Sequence, residues 1–383
     1  MDIRRLPLWE GRNATYMAND YITAVIEDQG SVMLELSSQS VGGARINALS
    51  MPYFRGFSSG VLSDENASWY QNKQTLYQAG GSYFTFPYPS EDIITSNNTY
   101  WTVRKYGTEE EYGGVWLLSE MKSRMESCHY RLERLDFLLP SHPAIYSAIK
   151  ATNLSPDQAL ETSPSFNSML SSPFLETGCV IDCNARSFSA YQKARRELAR
   201  NRYMASRIFD DLKHAPLASG GICDASYLPP PTGTYDYIIG KTNESQDVSY
   251  LLMMNPRTQQ MFINFAPSSC FPNVAITQNY LGRFDSPWAL WDGGVSQVYS
   301  LSLGFNWGPK GTRNLTIPPQ SSFVFYFASA YCPYDNPRMG LGYSTKEVQD
   351  DGFFFKRTKS SLFVPCDTRF RIMKKLSSIV FGT

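Results

Sequence analysis

Histidine is nearly absent from this 383-residue chain, with three in all, and an excess of charge of either sign is missing, since Lys+Arg and Asp+Glu both total 35. With so few imidazoles, metal centres and proton relays built on histidine clusters have little to draw on. A net charge of zero and a pI near 6.8 remove the basic surface that nucleic acid or an anionic membrane would need. The seven cysteines (Cys128, Cys179, Cys183, Cys223, Cys270, Cys332 and Cys366) are odd in number and scattered, with no CxxC pair. Buried reduced thiols are expected from them, not a disulfide framework or a metal site. No run approaches the roughly 18 apolar residues of a membrane span, and no apolar stretch follows Arg4 and Arg5 as an export signal would require. The expectation is a cytoplasmic protein without cofactor, metal, nucleic-acid or membrane partner.

What the chain does have is aromatic residues, at 14%, while charged residues reach only 18% against the roughly 25% usual for globular chains. Extended apolar sheets with aromatic-lined surfaces follow from that balance. Alternation supports it: residues 21–27 read as a strand, Asp28-Gln29-Gly30 as a turn, and residues 32–36 as the returning strand. The same period of two recurs at residues 145–153, 235–239, 248–254, 298–305 and 323–327. The fold class expected is all-β, a large two-sheet antiparallel β-sandwich with a minor helical insertion. The insertion is placed at residues 185–213, where Phe188, Tyr191, Ala194 and Leu198 recur at helical spacing. Residues 1–344 are expected to form the sandwich domain. Residues 345–383, with seven Lys/Arg from Lys356 on interleaved with Phe363, Phe370 and Phe381, are expected to pack back on it.

Four stretches carry the functional reading. Residues 151–182, ATNLSPDQALETSPSFNSMLSSPFLETGCVID, place Phe166 and Asn167 between a turn-rich loop and a Pro173-bounded apolar run. Residues 79–87, AGGSYFTFP, join a glycine pair to aromatics and a proline, and glycines there let the backbone pass close to a ligand. The third is MPYFRG around Arg55, and the fourth holds Trp291, Asp292 and Gly304-Phe305-Asn306-Trp307. Together these resemble the galactose mutarotase-like (aldose 1-epimerase) superfamily over most of residues 15–335. The resemblance implies the supersandwich fold and a sugar site. It matches Arg55 to the sugar-reaching arginine, Phe86 to the segment before the first catalytic histidine, Asn167 to the second histidine and Asn306 to the glutamate base. The chain departs from the pattern at each catalytic position: no histidine stands between Tyr88 and Trp101, and the other two positions hold asparagine.

Mutarotation needs an acid and a base on opposite sides of the anomeric centre, and an asparagine amide titrates as neither. Three readings follow. In the first, a small or oligomeric carbohydrate is bound through Arg55, Phe86, Asn167, Trp291, Asn306 and Trp307 without ordinary mutarotation. The second is a non-standard epimerase using other carboxylates, with Glu176 and Asp292 as catalytic candidates. The third is a structural or interaction protein with no sugar ligand.

Overall fold

A computed structural model describes residues 1–9, 12–50, 80–87, 95–123, 128–190, 201–205, 207–280, 299–308, 315–334, 345–357 and 360–382. Two antiparallel sheets dominate it. The larger has twelve strands. It runs from Asp2–Trp9 through Arg12–Ala18, Ile22–Glu27, Met33–Gln39 and Ser82–Thr85 to Ser165–Leu170 at mid-sheet. It continues through Tyr299–Asn306, Asn273–Tyr280, Thr234–Lys241 and Arg186–Ala190 to Ile208–Phe209, while Arg45–Asn47 pairs with Met33–Gln39. The smaller has eight strands, in the order Val180–Cys183, Val248–Asn255, Gln260–Pro267, Ser322–Pro333, Ala144–Asn153, Tyr130–Leu138, Val115–Lys122 and Thr102–Thr108. This is the expected antiparallel sandwich.

Aromatic side chains from the two sheets meet between them. Phe166 stacks on Phe327 with centroids 4.0 Å apart, and Phe84 lies 5.3 Å from Phe325. Each such ring removed from water contributes roughly 1.5–3 kcal/mol, so the interleaved phenylalanines supply much of the drive to close the sandwich. The turn between Ile22–Glu27 and Met33–Gln39 is fixed by sterics: Gly30 has φ +73°, and a Cβ there would lie 2.2 Å from the Asn97 carbonyl oxygen. Only glycine fits that approach.

The smaller sheet is covered on its other face as well. Three strands, Thr345–Gln349, Gly352–Arg357 and Ser360–Pro365, and an α-helix, Arg371–Phe381, pack there through Phe353, Phe370, Met373 and Phe381. Phe265 stands 5.2 Å from Phe353 and 5.4 Å from Phe370. The helix buries Met373, Ser377 and Phe381, one residue every four, so a single stripe faces the sheet. Burial on both faces explains why Val248–Asn255 and Gln260–Pro267 are buried throughout, without the alternation of a half-solvated strand. The helical spacing read at residues 185–213 is not realised in its described part. Arg186–Ala190 and Ile208–Phe209 are strands, and Phe188 stacks on Phe209 at 5.7 Å because it faces inward with Ala190 at a period of two. Residues 191–200 lie outside the described residues.

One contact on the covered face has a pH signature. Tyr146 Oη accepts the Asp367 backbone N–H at 2.8 Å and sits 2.7 Å from His142 Nδ1. A neutral imidazole serves this contact in either tautomer, Nδ1 accepting from the phenol or donating to it, and needs no charge. Burial holds the His142 pKa below its ordinary 6.5, with Asp367 pulling the other way. The unfolded chain then takes up a proton near pH 6.5 that the folded chain refuses. This contribution is whole above that pH and is lost as pH falls. Thermal melts taken from about pH 7.5 to about pH 5.5, around histidine's ordinary titration, should show a falling Tm. His142→Gln, which keeps an acceptor and cannot titrate, should flatten the fall; an identical pH slope in the variant would refute the assignment.

Candidate functional site

With the smaller sheet enclosed, the face of the larger sheet turned away from the core is the surface that its central strands leave for a ligand. Alternation decides which side chains it presents. Along Ser165–Leu170, Phe166 and Leu170 join the core, so Ser165, Asn167 and Met169 point outward. Register extends this across the sheet. Asn167 is opposite Tyr83 on one side and Gly304 on the other, and Gly304 is opposite Ala275. One step along, Ser165 is opposite Thr85 and Asn306, and Asn306 is opposite Asn273. The described outward positions of these strands carry amides, hydroxyls and the Tyr83 phenol beside Met169, Ala275 and Gly304, with neither a carboxylate nor an imidazole; Glu35 shares the face on the next strand, where it accepts from the Ser37 hydroxyl.

The two asparagines are held differently. Asn167 donates from Nδ2 to Ser165 Oγ at 3.1 Å. Its amide lies over Gly304, where a Cβ would come 2.3 Å from Asn167 Oδ1 and 2.6 Å from the Phe166 carbonyl oxygen. Glycine at 304 is thus the condition for Asn167 to lie against the sheet. Asn306 donates from Nδ2 to Tyr237 Oη at 3.1 Å and accepts the Gly308 N–H on Oδ1 at 3.0 Å. Asn273 Nδ2 in turn donates to the Asn306 carbonyl at 3.3 Å. Asn306 is buried and fixed from three directions, while Asn167 is half-buried with its Oδ1 lying over Gly304.

Of the residues expected at the site, the structure brings Asn167 and Asn306 together on this face and places others elsewhere. Phe86 is fully buried and meets Tyr130 edge-on at 4.8 Å; it shares the inward parity of Phe84, and Tyr83 and Thr85 take the outward places. Trp307 follows Asn306 with inward parity. It packs against the core edge-on to Phe323 at 6.3 Å, and its Nε1 donates to the Cys270 carbonyl at 2.9 Å. The expected place among the sugar-binding residues is therefore corrected for both rings. Glu176 lies past the Leu170 end of its strand, the end opposite Asn306, in a 2.9 Å ion pair with Arg257. Arg55, Trp291 and Asp292 lie outside the described residues. All three histidines are placed away from the face: His129 precedes a strand of the smaller sheet, His142 is bonded to Tyr146, and His214 is exposed beside Asp211.

Tyr83, Ser165 and Tyr237 join the site without having been singled out from the sequence. Their signal is parity: once Phe84 and Phe166 face the core, Tyr83, Ser165 and Asn167 must face away. Chemically, the assembled face can donate and accept hydrogen bonds at fixed points. It has no described group on it that changes protonation near neutral pH.

No family model and no curated protein sequence matches the chain. Solved structures do. A protein from Klebsiella pneumoniae described as a candidate aldose 1-epimerase superposes with a TM-score of 0.61 at 13% identity, over 84% of this chain and 80% of that one. A candidate aldose 1-epimerase from Escherichia coli K12 gives 0.55 at 11% identity over 85% and 100%, and a candidate mutarotase from Salmonella typhimurium 0.54 at 10% over 87% and 94%. At such identities the likeness speaks for the fold alone. The chain shares the fold of these structures, described as candidate aldose 1-epimerases and mutarotases.

Proposed function

We propose that the outward face of the larger sheet binds a carbohydrate, and that this relative of the aldose 1-epimerases holds its sugar through amides and hydroxyls where an acid and a base would otherwise stand. The observation that carries the reading is the juxtaposition of Asn167 and Asn306 on adjacent central strands. Both are positioned by neighbours, Ser165 and Gly304 for one and Tyr237 and Gly308 for the other. Sugar hydroxyls are both donors and acceptors, and pre-set amides satisfy them without reorganisation.

Titration of hexoses, hexose phosphates and oligosaccharides by calorimetry tests it. Asn167→Ala and Asn306→Ala should each weaken the best ligand by roughly 0.5–1.5 kcal/mol, a neutral hydrogen bond's worth. Gly304→Ala should weaken it comparably with every polar group retained, because it lifts the Asn167 amide off the sheet. A ligand whose affinity ignores all three substitutions, or a panel with no ligand in it, would sink the proposal.

A further inference from the structure

The open edge of the sandwich carries a second concavity, separate from the face just described. A cavity of about 610 Å³ lies between the edge strands of the two sheets, with Ile181, Phe188 and Leu212 at its apolar side and Asp224 and Tyr227 at its rim. A second, of about 420 Å³, adjoins it, and the two share Cys183, Ala185 and Lys346. Lys346 reaches from the C-terminal sheet to pair with Asp182 of the edge strand, so this ion pair marks the join. Two contiguous hollows make a trough. Each by itself falls in the range of roughly 300–1,000 Å³ that holds a drug-sized ligand.

We propose that this trough is a subsite for an extended, uncharged polyhydroxylated chain, an oligosaccharide. Length follows from the contiguity of the hollows: one sugar ring would leave one of them empty. Neutrality follows from the described lining residues, among which four aspartates stand against three cations and the cation at the join is already paired. Neither a polyanion nor a polycation finds a surplus of opposite charge. Hydroxyl recognition follows from how the polar groups are fixed. Asp224 Oδ1 accepts from the Ser226 N–H at 2.9 Å and from its hydroxyl, which leaves Oδ2 to accept from a ligand. In the second hollow, Asn243 Oδ1 accepts from the Ser245 N–H and hydroxyl, which leaves its amide nitrogen to donate. Tyr227, 40% exposed, supplies a ring at the rim for the apolar C–H face of a sugar. Asn184 takes no part, because Gln246, the Val248 carbonyl and the Tyr250 N–H saturate it.

Calorimetry with maltohexaose, cellohexaose and chitohexaose against their monosaccharides, with spermine as a cationic control, tests the proposal. At least one chain should bind roughly tenfold tighter than its monosaccharide, as expected when a second subsite is engaged on one ligand. Tyr227→Ala and Asp224→Asn should each remove most of that gain, while Tyr227→Phe should retain it. Both side chains are surface groups, so the variants should fold as the parent does, and circular dichroism confirms this. Chains no tighter than single sugars, a gain that survives both substitutions, or displacement of the chain by spermine would each overturn it.

Discussion

Arg134→Met is expected to destabilise the protein by about 3–5 kcal/mol, the cost of leaving a buried charge without its partner. Arg134 and Asp136 are 3% and 0% exposed, inside the sandwich. The guanidinium meets Asp136 at 2.9 Å through Nη2 and donates to it at 3.0 Å through Nε. Nη1 donates to the Ser31 carbonyl, in the turn before Met33–Gln39 of the larger sheet, at 2.5 Å. The Ser147 hydroxyl donates to Asp136 Oδ1 at 2.6 Å, while Asp136 Oδ2 has no hydrogen-bond partner. The arginine thus ties the two sheets together and neutralises a carboxylate that already lacks part of its hydrogen bonding. Removing it strands both. Replacing the pair together, Arg134→Met with Asp136→Leu, should recover much of the loss, since no charge is then left buried. Urea titrations read both effects from the midpoint. A double variant as unstable as Arg134→Met would mean that the pair contributes net attraction beyond its desolvation cost.

The sandwich was legible in the sequence because turn residues bound its strands and residue types alternate along them. Residues 21–36 gave two strands and the glycine turn between them, and the observed strands Ile22–Glu27 and Met33–Gln39 lie within a few residues of that reading. Where burial is two-sided, as in Val248–Asn255, the strand shows as an apolar run and its facing is silent. The helical spacing read around Phe188 rested on Tyr191, Ala194 and Leu198, which lie outside the described residues; within Arg186–Ala190 the contact of Phe188 with Phe209 across the strand pair is that of a strand. The site was half legible. Asn167 and Asn306 were found through resemblance to a catalytic pattern, yet their being neighbours depends on pairing across about 140 residues of chain, which no local signal encodes. Phe86 and Trp307 were drawn to the site by their chemistry, and parity sends both to the core.

The protein is expected to show no ordinary mutarotase activity: α-glucose followed by polarimetry should equilibrate at the buffer rate. A positioned acid or base contributes on the order of 10²–10⁴ in rate. On the described outward face the two catalytic positions matched by resemblance are amides, and the histidines lie elsewhere. Glu176 is a poor substitute, since its carboxylate is engaged by Arg257 beyond the far end of the strand from Asn306. Asn306→Glu offers the converse measurement. The new carboxylate would sit against Tyr237 Oη and the Gly308 N–H, which already hold the amide in place, so the backbone need not move. A base restored there with no acid opposite should raise the rate only modestly, and adding Asn167→His should raise it further than the two single effects multiplied, because ring opening needs both transfers together. A parent rate well above buffer would place the proton transfer on a group outside Asn167 and Asn306. Its pH profile, compared with those of Glu176→Gln and Asp292→Asn, would then show whether either carboxylate supplies it.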